Sequence, residues 1–448
     1  MACIGIVADD LTGATTTGVL LARSKARTGV FFNEEAARRS KDVDDLDALI
    51  ISSNSRPLPK EEAYAIVKTS TEALLNLGAK YFSKRIDTTL RGGIGTEIDA
   101  MLDTIGQDTV AVVVSAMPQS RRIMVGGFSV IDGVALINTP VAQDVRTPVR
   151  ENYIPRLLAS QTRRKVGLIT LDHVLAGQEA ITRELVKARE DGCEVIIVDA
   201  ITLDDVVTIA KSCVSLAWNV LAVDPGPFTS KLAFERGIIQ AEKANHPEPA
   251  PKPEKTVLIA AGSATPVTKK QMEVLTLRPE HKRISVEPIP LINGGEEADA
   301  EIKKAVDAAL ALLNAEERPD SILFETALHG ELLNLEEEDA KRDYRGGLSA
   351  DMINVGLGKI IKGTLDEVGK EKIAGLYTTG GDTMVNVCTV LGVECLEVID
   401  YVIPQTDIGR LVGSEYSGLP VVGKGGLTGD TMTAIDIVDR LFKEATRK

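Results

Sequence analysis

Aromatic residues are scarce in this chain: Phe, Tyr and Trp make up 4% of 448 residues, too few for the stacking platforms that hold single-stranded nucleic acids. A basic excess is missing as well. With 51 Lys and Arg against 65 Asp and Glu, the formal net charge is −14, which repels phosphate backbones and anionic membranes but permits a local basic pocket for a small anion. Neither nucleic acid nor membrane is therefore expected as a partner. Cysteine is limited to Cys3, Cys193, Cys213, Cys388 and Cys395, an odd number without a CxxC pair. That argues against a disulfide framework and a structural zinc site, and a reducing compartment is expected. The imidazoles are His173, His246, His281 and His329, none of them in the glycine-rich motifs described below, which disfavours a histidine triad or a histidine-rich metal site. Chemistry is left to carboxylates, Lys and Arg. No apolar run approaches the ~20 residues that span a bilayer, and no basic leader precedes the first strand-like run, so a cytoplasmic location is expected.

What is present reads as α/β. At 448 residues the chain exceeds the size at which single cores stop growing, so two domains are expected, each a mostly parallel sheet flanked by helices. Strand-like runs at Ala48–Ser52, Val110–Ser115, Val166–Thr170, Val195–Asp199 and Val220–Asp224 alternate with helix-like segments such as Lys60–Leu77 and Gln178–Asp191, the latter two stopped by Gly78 and Gly192. Four prolines among the charged residues of Glu242–Lys255 prevent regular packing there. The expected division is a first domain over 1–243, a linker over 244–255 and a second domain over 256–448. A second alternation begins at Thr256–Ala261 and continues through Ala298–Leu313, Ser321–Thr326, Met352–Val368 and Gly375–Thr379.

Three polar stretches in the first domain follow strand-like runs, where α/β sheets present their functional loops. Asp9 and Asp10 end the run Cys3–Val7 and precede Thr12, Gly13 and an Ala-rich helix. Helix capping explains one of these acids, but two adjacent ones point to a site for a polar small molecule. Lys84, Arg85, Asp87 and Arg91 lie in one cluster after Tyr81–Phe82, with cations suited to a carboxylate or phosphate and Asp87 suited to a hydroxyl; a solvated loop with an internal Asp–Arg pair is the plainer alternative. Arg122 offers a further anion contact after Val110–Ser115, while Gly126 and Gly127 read as a tight turn.

The second domain holds three glycine loops behind strand-like runs: Gly262–Thr268 with Ser263, Gly380-Gly381-Asp382-Thr383, and Lys424-Gly425-Gly426 through Gly429-Asp430. Glycine admits an anion close to backbone N–H groups, and a following helix adds its dipole, so such loops suit a polyphosphate with Lys424 as counter-charge. Neither a Walker A loop nor GxGxxG is among them. Asp382 and Asp430 are candidates for holding Mg²⁺ through water, against plain helix capping.

In these motifs the chain resembles the four-carbon acid sugar kinase family, which includes D-threonate, D-erythronate and 3-oxotetronate kinases. Val7-Ala8-Asp9-Asp10-Leu11-Thr12-Gly13-Ala14 is similar to the family's IADDFTGA, and Lys84 through Gly92 to its KKxDSTLRG. Arg121–Gly127 is similar to GRTTVGG, Gly262–Thr268 to GSCSPVT, Gly380–Met384 to GGDTS, and Lys424–Asp430 to KSGGFGD, all in the same order. The resemblance implies an amino-terminal domain for the acid sugar, a carboxyl-terminal domain for ATP with Mg²⁺, and phosphoryl transfer to the terminal O4 hydroxyl. On that basis Lys84, Arg91 and Arg122 are expected at the substrate carboxylate or the transferring phosphoryl, Asp9, Asp10 and Thr12 at substrate hydroxyls, and Asp10 or Asp87 as general base. Ser263, Gly380, Gly381, Asp382, Thr383, Lys424, Gly425, Gly426 and Gly429 are expected at the nucleotide. The alternatives are an NAD(P)-dependent hydroxy-acid dehydrogenase, against which the missing GxGxxG argues, and a non-catalytic sugar-acid binding protein. A homo-oligomer is left open.

Overall fold

The computed structural model describes residues 4–40, 43–106, 108–144, 147–241, 254–328 and 332–446. Cys3, His246, His329 and most of the linker expected at 244–255 lie outside the described residues. The chain divides into two compact units, Met1–Ala244 and Asn245–Lys448.

In the first unit the apolar runs become β1 (Ile4–Ala8), β2 (Thr28–Phe31), β3 (Ala48–Ser52), β4 (Tyr81–Arg85) and β5 (Thr109–Val113). A small set follows, β6 (Arg122–Val125), β7 (Phe128–Ile131) and β8 (Val134–Ala135), and then β9 (Val166–Ile169), β10 (Val195–Val198) and β11 (Asn219–Asp224). The large sheet runs β2-β3-β1-β4-β11-β5-β10-β9, and its neighbours pair in parallel. Strands covered on both faces read as continuous apolar runs, and β1, β3, β5 and β10 are buried at every position. From β1 the chain goes to β2 on one side, whereas from β4 it goes to β5 on the other. The carboxyl ends of β1 and β4 thus flank the topological switch point, where open α/β sheets bind ligands.

The small β6-β7-β8 sheet is antiparallel. Its turns, Gly126-Gly127 and Asp132-Gly133, have φ of 59°, 78°, 52° and 80°, the left-handed pairs that suit the twist of a hairpin. Val112, Ile181, Ile196, Ile209, Cys213 and Phe228 belong to a core on the large sheet.

The second unit contains β12 (Thr256–Ala261), β13 (His281–Ser285), β14 (Ser321–Glu325), β15 (Ile373–Thr379), β16 (Cys395–Ile403), β17 (Thr406–Val412) and β18 (Pro420–Lys424). Their order is β13-β14-β12-β15-β18-β17-β16. The first five are parallel, while β17 runs antiparallel to both its neighbours. The β16–β17 hairpin, turning at Gln405 with φ 66°, is an addition to the parallel alternation expected from sequence. Helices Pro266–Thr276, Gly381–Val390 and Thr433–Ala445 connect or follow these strands, and the last packs Ile437, Val438 and Leu441 on the sheet core.

Cys193, Cys213 and Cys388 are buried free thiols, and burial pushes Cys213 and Cys388 up to about 12. Among the described residues no helix is long and apolar enough to cross a membrane.

Phe228 is fully buried in the first unit's core. Its replacement by Ala should lower the stability of that unit by about 3–5 kcal/mol through lost transfer energy and a residual cavity. Urea unfolding followed by circular dichroism should show the first unit's transition moving to lower denaturant.

Candidate active site

The carboxyl ends of β3, β1 and β4 are adjacent, and each delivers charge to one place. Asp9 and Asp10 follow β1, Arg56 follows β3, and Arg85 ends β4, with Asp87 two residues beyond it. Arg56 donates from Nε to Asp9 Oδ2 at 2.8 Å, its Nη1 forms an ion pair with Asp10 Oδ2 at 2.7 Å, and its Nη2 lies 3.9 Å from Asp87 Oδ1. Arg85 Nη1 reaches Asp9 Oδ1 at 3.2 Å and Asp10 Oδ1 at 3.0 Å. Gly13 makes this approach feasible, since a Cβ there would overlap the Arg85 guanidinium. Asp10 is also the N-cap of helix Leu11–Arg23, accepting from Gly13 N at 2.7 Å, so capping and ion pairing coincide in one side chain.

Asp87 is held on both oxygens. Arg91 donates to it from Nε at 2.7 Å and from Nη2 at 3.3 Å, and Thr89 Oγ1 at 2.5 Å. A further nitrogen of Arg91, Nη1, extends to Asp144 Oδ2 at 3.2 Å. Burial opposes ionisation of Asp9, but the charges of Arg56, Lys84 and Arg85 outweigh it and hold that carboxyl below its ordinary range. For Asp87 burial is likewise outweighed, here by Arg56 and Arg91, and the carboxyl lies well below its ordinary range. The side chains of Asp10, Arg91 and Asp144 keep 28%, 29% and 26% exposure, whereas Asp9 and Asp87 keep 4% and 7%, so the former three form the reachable face.

Lys84 departs from the open anion contact expected of it. It is fully buried, pairs with Glu97 at 2.6 Å, and donates to Arg85 O at 3.0 Å. Successive strand residues face opposite sides of a sheet, so Lys84 and Arg85 cannot both serve the aspartates in the same way. Thr12 is exposed in the first turn of its helix. Arg122 begins β6 on the small sheet, where Nη1 donates to Ser120 O at 2.7 Å. That hairpin is tied down by buried Asp199, which accepts from Gly126 N at 2.6 Å, Gly127 N at 2.9 Å and Leu171 N at 3.0 Å.

Sequence reasoning missed Arg56, Glu97, Asp144 and Asp199. The usable signal for Arg56 was its place in Ser53-Asn54-Ser55-Arg56-Pro57, directly after a buried parallel strand. Arg56 also lines an open cavity of about 500 Å³, together with Lys60, Gly92, Thr96, Arg150 and Gln161.

In the second unit the three glycine loops follow β12, β15 and β18, which are neighbours in the sheet. They are knitted to one another. Thr265 Oγ1 donates to Gly426 O at 2.5 Å, Thr268 Oγ1 to the same oxygen at 3.1 Å, Ser263 N to Thr379 Oγ1 at 3.3 Å, and Gly380 N to Lys424 O at 2.8 Å. Thr383 Oγ1 donates to Asn354 Oδ1 at 2.8 Å, and a Cβ on Gly262 would overlap both atoms. Helix Gly381–Val390 starts at Gly380, with φ 99° and no side-chain cap, which leaves its first N–H groups for an anion. Gly425 O accepts from Lys424 Nζ at 2.8 Å, and Gly429 takes φ 84° beside Thr433.

Lys424 is buried with carbonyls as neighbours, and that burial lowers its ammonium to about 8. Asp382 is exposed in the first turn after Gly381, whereas Asp430 caps the following turn, accepting from Met432 N at 2.9 Å and Thr433 Oγ1 at 3.1 Å. Beside Gly262 a small pocket is lined by Ala264, Ala327, Leu333, Ile353 and Asn354.

Residues 4–232 match the family model described as a sugar-binding N-terminal domain, and residues 258–434 the one described as a nucleotide-binding C-terminal domain. The chain is 36% identical over 448 residues to D-erythronate kinase of Heliobacterium modesticaldum, covering 100% of this chain and 99% of the relative. It is 28% identical over 435 residues to D-threonate kinase of Salmonella typhimurium, covering 96% of each. A Haemophilus influenzae crystal structure superposes with a TM-score of 0.75 at 20% identity, covering 98% of this chain and 100% of that one, and shares the fold.

A lysine whose ammonium is destabilised by burial regains its proton when an anion arrives. Below about 8 it is already charged in the empty loop, and as pH rises above that value it is neutral there but charged beside a phosphate. A triphosphate titrated into these loops should take up a proton and bind less tightly as pH rises above about 8, and Lys424→Met should abolish both effects. Calorimetric titration in buffers of differing ionisation enthalpy measures this.

Proposed function

The chain belongs to the four-carbon acid sugar kinase family, and on that premise we propose that it transfers the γ-phosphoryl group of ATP to the terminal O4 hydroxyl of a four-carbon sugar acid, D-erythronate first among the candidates. One observation carries the reading: charged loops gather on adjacent parallel strands of the first unit and glycine loops gather on adjacent parallel strands of the second. A polyhydroxy acid needs the former, and a triphosphate the latter. We assign the acid sugar to 1–243 and the nucleotide to 256–448, with 244–255 joining them. The higher identity to the D-erythronate enzyme, 36% against 28% for the D-threonate one, supports the order of candidates.

The roles follow from exposure and chemistry. Asp10 presents the more open carboxylate and accepts the proton of the attacking hydroxyl, as the new O4–P bond forms and the bond from γ-phosphorus to the ADP oxygen breaks. Asp87, closed on both oxygens by Arg91 and Thr89, orients Arg91 toward the acid or the phosphoryl group. The cavity beside Arg56, with Lys60 and Arg150 on its wall, gives an anionic substrate room and counter-charge. Asn354 and the apolar wall around Ala264, Leu333 and Ile353 suit a nucleobase, and Lys424 with the first N–H groups of helix Gly381–Val390 suits the phosphates. Mg²⁺ keeps several waters and takes few protein carboxylates, which the exposed Asp382 fits better than the capping Asp430; when bound it neutralises triphosphate charge. Buried unpaired thiols at Cys193, Cys213 and Cys388 accord with a reducing cytoplasm.

A coupled ADP-release assay over D-erythronate, D-threonate and 3-oxotetronate should give turnover, highest with D-erythronate, and phosphorus NMR of the product should place the new ester at O4. Absence of turnover on all three acids would reject the substrate class. In the same assay Asp10→Asn should lower kcat by about 100-fold or more, while Asp87→Asn should act mainly on KM. Full turnover by Asp10→Asn would remove it from the base role.

A further inference from the structure

Arg56 belongs to none of the motifs legible in the sequence, yet its guanidinium spans three carboxylates carried by two other segments, Asp9, Asp10 and Asp87. We propose that Arg56 is the positioning residue of the phosphoryl-transfer site: it draws these aspartates together by ion pairing and thereby fixes Asp10 in the place from which it receives the hydroxyl proton. This rests on the acid sugar kinase reading above.

Three observations carry it. First, the loop is built to deliver the guanidinium. Ser53 donates to Ala8 O from N at 2.9 Å and from Oγ at 2.8 Å, and Arg56 N donates to Asp9 O at 3.4 Å, so residues 53–56 are laced to the end of β1. Asn54 takes φ 50°, a left-handed conformation that Asn tolerates, and Pro57 directly follows Arg56.

Second, two of the three guanidinium nitrogens of Arg56 are committed to carboxylates. Nε and Nη1 are bound to Asp9 and Asp10, and Nη2, nearest Asp87, is buried without a hydrogen-bond partner. With two nitrogens engaged, this guanidinium acts through the carboxylates it holds.

Third, the remaining charges do not replace it. Around the aspartates stand Arg85 from β4, Arg91 and Asp144 from the loops, and the buried Lys84–Glu97 pair. Arg85 bridges Asp9 and Asp10 through one nitrogen, and Arg91 pairs with Asp87 and Asp144. Arg56 alone among these contacts joins the Asp9–Asp10 pair to Asp87. Like charges so close protonate in turn once the cation between them is removed.

The test uses the full chain with Arg56→Lys and Arg56→Met, assayed with ATP and whichever four-carbon acid the wild type turns over. Arg56→Met should retain the nucleotide-dependent rise in melting temperature, because the nucleotide loops lie in the other unit. It should lose about 100-fold in kcat with a smaller change in KM. The acid limb of its pH–kcat profile should move to higher pH, Arg56→Lys should fall between it and wild type, and added methylguanidinium should restore part of the rate. The inference is overturned by a wild-type kcat and acid limb in Arg56→Met, by a loss confined to KM, which would make Arg56 a direct substrate clamp, or by loss of the nucleotide-dependent shift in both variants, which would make it purely structural. A wild type inactive on every acid would instead reject the kinase reading, and the melting measurements tell the two failures apart.

Discussion

A buried carboxylate beside a second one is stabilised in place when cations enclose the pair. Here Arg56 and Arg85 do so from the strands on either side of β1, and much of the first unit's local architecture follows from that demand. The order β3-β1-β4 puts both arginines within reach, Gly13 leaves space for one of them, and Asp10 uses its remaining hydrogen-bonding capacity to start the helix. Breaking a buried ion pair from one side typically costs about 3–5 kcal/mol, so this charge arrangement also contributes to the folding of that corner.

The second unit solves the opposite problem. The triphosphate proposed for it is highly anionic, and the loops proposed to receive it offer backbone N–H groups, hydroxyls and one buried amine. Thr265 and Thr268 spend their hydroxyls on Gly426 O, which fastens one loop to the next and orders the backbone before any ligand arrives. Such preorganisation favours phosphate binding without the reorganisation that flexible cationic side chains would require.

Contiguous motifs were legible because their chemistry is concentrated: Asp9-Asp10, the run from Lys84 to Arg91, and the glycine loops each combine a strand end with unusual polar density. The two-unit parallel architecture was legible for the same reason that buried strands are continuous apolar runs. Arg56 was not, since a single Arg in a serine-rich loop gains meaning only when β3 is known to lie beside β1. Glu97 sits in the first turn of a helix, where an acid is ordinary, and only its 2.6 Å contact with Lys84 reveals a buried partner. The strand alternation that sends Lys84 away from Arg85 was available in principle, yet it required knowing that β4 continues to Arg85. The β16–β17 hairpin escaped because a period-two apolar pattern does not specify strand direction.

The enclosed thiols give each unit its own internal clock. Cys213 lies in a helix of the first and Cys388 in a helix of the second, both fully covered and both poor thiolates at neutral pH. Alkylation at either sulfur has to wait for its surroundings to part, so the two labelling rates, resolved by mass spectrometry, chronicle the opening of each half independently.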